Sequence, residues 1–110
     1  MTAYSVIVHE RAMQDIERNA AWWAKHHSAA QAIMWYETIL HSIKGLTTLP
    51  ESHPLADENQ SFKIGLRQML CGLGSKPSYR AIFTIEENCV HVLTVRRSTQ
   101  DVLRPNDLGD

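Results

Sequence analysis

Three patterns of apolar and polar residues follow one another along the chain. "YSVIV", Tyr4 to Val8, is mostly β-branched or aromatic and predicts a short strand. Met13, Ile16, Ala20 and Trp23 then recur three and four apart. That is one stripe of a helix, with Glu10, Asp15, Glu17, Arg18 and Lys25 falling largely off it. "HHS" closes this helix, and Ser28-Ala29-Ala30-Gln31 has the Ser-x-x-Gln form of a capping box that opens another. Ala32, Trp35, Ile39, Ile43 and Leu46 give the second helix its stripe, to about Thr47. Two amphipathic helices joined tightly form an αα-hairpin with an apolar side to cover. Trp22, Trp23 and Trp35 are accordingly expected to pack in the core or between the helices.

"LPESHPLADENQSF", Leu49 to Phe62, is a proline-bearing polar run expected to be a long loop without helix. "GLRQMLCG" reads as a strand between glycines and "LGSKPS" as a turn. "YRAIFTIEENCVHVLTVRRSTQD" reads as a β-hairpin. Helices placed before a group of strands predict an α+β domain, a two-helix hairpin on one face of a mainly antiparallel four-stranded sheet in the order β-α-α-β-β-β. The expected buried set includes Ile7, Ile16, Trp23, Trp35, Ile39, Phe83, Ile85 and Val92.

With Glu87 and Asn88 as the two hairpin loop residues, Asn supplying the positive φ that such turns require, Glu86 faces Cys89 and the pairing runs outward from there. Tyr79, Ala81, Phe83 and Ile85 then share the helix side with Val90, Val92 and Thr94. Arg80, Ile82 and Thr84 share the opposite, uncovered face with His91, Leu93, Val95 and Arg97. Arg80 and Arg97 would converge there about two residues apart in register, within joint reach of one phosphate or carboxylate. Strand-end arginines that merely keep a sheet edge soluble are the alternative.

Composition adjusts this picture in three respects. At 110 residues and 44% hydrophobic the chain forms one domain, residues 1–110. No apolar run approaches the roughly 20 residues of a membrane span, and the first ten residues lack a signal-peptide layout, so a cytoplasmic location is expected. Cys71 and Cys89 sit in apolar strand-like runs and are expected to be plain thiols, with no metal site and no cofactor. The net charge of −1 conceals an asymmetry, because Met1–Phe62 carries four Lys/Arg against seven Asp/Glu whereas Lys63–Arg104 carries seven against three. A basic second half suits an anionic partner, although charge alone is better accounted for by a solvated mixed surface.

The early "DIE", the "LTTLPESHPLADE" connection, "YRAIFTI" and the closing "VHVLTVRRSTQD", taken with the element order, resemble the RelE/ParE superfamily of bacterial type II toxin–antitoxin toxins over nearly the whole chain. The resemblance implies a sheet whose concave face meets the target. It also implies a cognate antitoxin whose segment wraps the toxin to neutralise it. On this reading Arg80 and Arg97 line the target or antitoxin surface, with Arg67, Lys76 and Arg96 contributing.

Two activities occur in the superfamily. RelE-like toxins cleave messenger RNA on the ribosome without a metal, and that chemistry needs a proton acceptor, a proton donor and cations for the developing phosphate charge. Arg80 and Arg97 match the stabilising arginines by position, and Lys76 is a further cation. The tyrosine or histidine that such enzymes carry beyond the last strand is missing from "STQDVLRPNDLGD", where Leu103 stands about in its place. His91 is the remaining donor candidate, but it lies on the order of 13 Å along the strand from Arg80. His9, His26, His27, His41 and His53 are scattered, without the pairing that a metal site would need. The missing acid favours the ParE-like activity, inhibition of DNA gyrase. A RelE-like nuclease and a non-toxic antitoxin-binding member are the alternatives.

Overall fold

The computed structural model describes residues 3–62 and 64–98, apart from the side chains of Gln60 and Ser61. Strand β1 (Ser5–Val8) leads into α1 (Glu10–His26) and α2 (Ala29–Lys44). Three 3-10 turns follow, Gly45–Thr47, Pro50–Ser52 and Asp57–Ser61, and then β2 (Arg67–Cys71), β3 (Tyr79–Glu86) and β4 (Cys89–Arg97). The connection expected to be without helix therefore carries short helical turns; Pro50 begins one of them, its fixed φ suiting a first helical position. Ser28 caps α2 as expected, its hydroxyl accepting the Gln31 N–H at 3.1 Å.

The sheet order is β1-β4-β3-β2, with β1 parallel to β4 and the other pairs antiparallel. Both helices pack on one face. Ala12 and Ile16 of α1 and Trp35, Ile39 and Ile43 of α2 meet Tyr79, Ala81 and Phe83 of β3 and Val90, Val92 and Val95 of β4 in one buried cluster. Trp35 sits edge-on to Tyr79, ring centroids 4.9 Å apart. Ile7 departs from the expected core at 48% exposed. On a four-residue edge strand, period-two alternation turns Val6 and Val8 toward the helices and Ile7 away. Trp23 and Ile85 are partly rather than fully buried.

The face away from the helices is not bare. Ala56, Leu66 and Ile82 form a second cluster with Phe62 and Leu93, so the stretch between α2 and β2 folds back over the middle of β3. Leu55 bridges to Arg67, and the Ala56 N–H donates to the Leu66 carbonyl at 2.8 Å, fastening this cover to the sheet.

The hairpin turns at Glu87-Asn88 as expected, although the positive φ falls on Glu87, at 56°. The pairs Glu86–Cys89 through Phe83–Val92 also follow the expected register. Beyond them a β-bulge leaves Leu93 without a partner, so Ile82 faces Thr94, Arg80 faces Arg96 and Tyr79 faces Arg97. A bulge leaves ladder groups to be satisfied elsewhere. Here Asp15 of α1, read from sequence as lying off the packed stripe, is buried and accepts the Val95 N–H at 3.1 Å and the Thr94 hydroxyl. Its other oxygen takes Arg18 Nη2 at 2.6 Å.

Candidate functional site

One extra residue in β4 decides where the arginines go. Because the register shifts at Leu93, Arg80 and Arg97 do not converge; Arg80 shares its face with Arg96, and Arg97 shares the helix face with Tyr79. Like charges directly opposite each other repel. An acid from the connection offsets that repulsion on the Arg80 side. Arg80 Nη1 donates to Glu58 Oε1 at 2.7 Å and Nη2 to Glu58 Oε2 at 2.6 Å, with Gln68 Oε1 at 3.3 Å from Nη1. Arg80 is 5% exposed and Glu58 is fully buried. The planar fork of the guanidinium is thus matched by a carboxylate of the same chain, in the arrangement a bound anion would adopt.

Arg97 occupies a different setting. Its guanidinium carbon lies 4.2 Å from the centre of the Trp22 ring, a cation–π contact. His26 stacks on Trp22 with centroids 4.6 Å apart, His27 stacks on Trp23 at 4.4 Å, and Trp23 Nε1 donates to the Tyr79 hydroxyl at 3.1 Å. Two open clefts flank the Arg97–Trp22 contact. One of about 230 Å³ runs toward Trp23, His27 and Tyr79, and one of about 350 Å³ toward Arg18 and Asn19. Trp22 is half-buried here rather than in the core. Its sequence signal was its position one residue off the Met13–Trp23 stripe, which places it on the rim of the packed face.

The remaining candidates are dispersed. Arg67 is spent on the connection, its Nη1 donating to the His53 carbonyl at 2.7 Å and the Glu51 carbonyl at 3.2 Å. Partial burial and the Arg67 charge lower the His53 pKa, favouring the neutral ring that meets Phe83 edge-on. Lys76 is exposed in the turn before β3, and Arg96 is half-buried. His91 faces Thr84 as expected but is joined to His9, Nε2 of His9 and Nδ1 of His91 being 2.9 Å apart. That pairing was hidden in the sequence because the partners are 82 positions apart. Cys71 is buried and Cys89 half-buried, both free thiols, and burial pushes the Cys71 pKa up to about 12. Leu103 lies outside the described residues. Among the described residues no three His, Cys, Asp or Glu side chains cluster, and no helix is long and apolar enough to cross a membrane.

The family profile described as "ParE toxin of type II toxin-antitoxin system, parDE" matches residues 6–102. The chain belongs to the ParE toxin family. Solved structures share the fold. A chain of the chromosomal ParDE TA system from P. aeruginosa superposes with a TM-score of 0.70 at 13% identity, covering 88% of this chain and 98% of that one. E. coli toxin RelE, as a double arginine-to-alanine mutant in the free state, superposes with a TM-score of 0.53 at 19% identity, covering 88% of this chain and 85% of its own. No curated protein sequence matches the chain. The ParE-family membership and the α+β fold agree with the resemblance carried by "DIE", "YRAIFTI" and "VHVLTVRRSTQD". The shared site expected of Arg80 and Arg97 is replaced by two separate settings.

Proposed function

We propose that this ParE-family toxin inhibits DNA gyrase, that it presents the Arg97–Trp22 patch to its target, and that a cognate antitoxin neutralises it in the cytoplasm. The observation that carries this reading is the bidentate capture of Arg80 by Glu58. Cleavage of RNA by its own 2′-hydroxyl needs a cation whose charge is unspent when the phosphate gains negative charge. Arg80 is neutralised and enclosed, Arg96 opposite it on the same face is half-buried, and Arg97 faces the helix side. A protein-binding role asks less of Arg80 and fits the Arg97–Trp22 patch well, since tryptophan and arginine are enriched among residues that dominate protein interfaces. The antitoxin that neutralises the toxin is an acidic, partly disordered segment that orders on covering this same basic, aromatic surface.

The purified chain is expected to block supercoiling by purified gyrase, and its induction in bacteria to stop DNA replication while leaving ribosome-bound messenger RNA uncut. New transcript ends within codons on primer extension, with supercoiling unaffected, would instead establish the nuclease.

A further inference from the structure

The His9–His91 pair plays no part in the toxin reading. Its backbone is fixed on both sides. Parallel pairing sets Ile7 opposite His91, and the His9 N–H donates to the Val92 carbonyl at 3.0 Å. The two rings meet at 70° with centroids 5.1 Å apart, His9 exposed and His91 half-buried. We propose that this pair is a binding site for one zinc-class divalent transition-metal ion, held by His9 Nε2 and His91 Nδ1 with water completing its shell.

The geometry needs little change. Zinc–imidazole bonds of about 2.0–2.1 Å at a tetrahedral angle set two ligand nitrogens roughly 3.4 Å apart. The present separation of 2.9 Å therefore opens by about 0.5 Å, within reach of small ring rotations. In the metal-free pair one contact nitrogen carries a proton and the other a lone pair. With the ion bound, both contact nitrogens present lone pairs. The ring that was the donor moves its proton to its other nitrogen through solvent, so no net proton is released and no electron is transferred. Imidazole selects zinc, copper and nickel over magnesium and calcium. The positive end of the α1 dipole lies at His9 and opposes a cation, and among the described residues the site has two protein ligands. The site is consequently weaker than a four-ligand structural zinc centre. Among the other histidines, His26 and His27 stack on tryptophans and His53 packs on Phe83.

Zinc chloride alone, titrated calorimetrically into the full chain, should bind at one equivalent, with magnesium chloride giving no heat. His9→Ser supplies a good helix N-cap and His91→Thr a good strand residue, so both variants should fold. Each should weaken zinc binding at least about tenfold, whereas Cys89→Ser should not. At zinc roughly 100 times its dissociation constant, the wild-type Tm should rise by about 10 °C, a shift lost in both histidine variants. Absence of binding to the wild type, or binding and Tm shifts unchanged in both histidine variants, would overturn the site.

Discussion

Arg80 and Arg97 begin and end the same pair of strands, yet they sit in opposite physical situations. Arg80 lies beneath the folded-back connection with its charge answered by Glu58, whereas Arg97 lies over a half-buried tryptophan between two open clefts. A buried guanidinium needs an acid beside it, and Glu58 supplies that acid to Arg80. A guanidinium over an aromatic ring beside open clefts is placed where a partner can meet it. An arginine's position in a strand therefore reveals little about its role until the acid that answers it has been located.

The sharpest way to break the contrast is to remove that acid. Glu58→Ala should strand a buried charge and destabilise the protein by about 3–5 kcal/mol, read as a lowered urea midpoint. The double replacement Glu58→Leu with Arg80→Met should recover most of that loss, because a buried ion pair exchanged for apolar residues of similar volume is often near neutral. Loss of the same size in the double variant would mean that the pair does more than fill space. In the core, Trp35→Ala should cost about 3–5 kcal/mol through the cavity it leaves. Trp35→Phe should cost less, since the Trp35 N–H has no hydrogen-bond partner among the described residues and nothing polar is stranded by its removal.

Smaller effects are expected at the surface and at the thiols. Trp22→Ala should lower stability by only about 0.5–1 kcal/mol, the scale of an exposed cation–π contact, because the packed face lies one residue away. In the native protein at pH 8 an alkylating reagent should modify Cys89 and spare Cys71, whose thiol is held protonated by burial, with Cys71 reacting only after denaturation; mass spectrometry distinguishes the two. The Cys71 pKa is raised on folding from 9.0 to about 12, so the stability that the buried thiol contributes is present below pH 9.0 and declines as pH climbs toward 12. Urea midpoints measured across that window should fall, and Cys71→Ala should flatten the decline.

How much of this was legible in the sequence depends on the range of the interaction. The Met13–Trp23 and Ala32–Leu46 stripes and the Ser28 cap are local, and each led to the observed helix. Alternation from Tyr79 to Ile85 identified the helix face of β3 for the same reason. The hairpin register was readable as far as Phe83–Val92 and then failed, because a bulge adds a residue without leaving a composition signal. That failure transferred Arg97 to the other face. Asp15 looked like a solvated helix residue, and it is buried because the bulge needs an acceptor. Glu58 looked like part of a polar loop, and its pairing with Arg80 spans 22 positions through a connection whose path is set by packing around Ala56, Leu66 and Ile82. Long-range pairs of this kind carry the site, and no periodicity encodes them.

On the proposed function, Arg97 meets the target while Arg80 holds the fold together. Supercoiling by purified gyrase, measured with wild type, Arg97→Ala and the Glu58→Leu/Arg80→Met double variant, tests it most directly when each protein's urea midpoint is recorded alongside. Inhibition should be lost in Arg97→Ala at a near-wild-type midpoint and retained in the double variant. Full inhibition by Arg97→Ala, or its loss in a well-folded double variant, would contradict the claim.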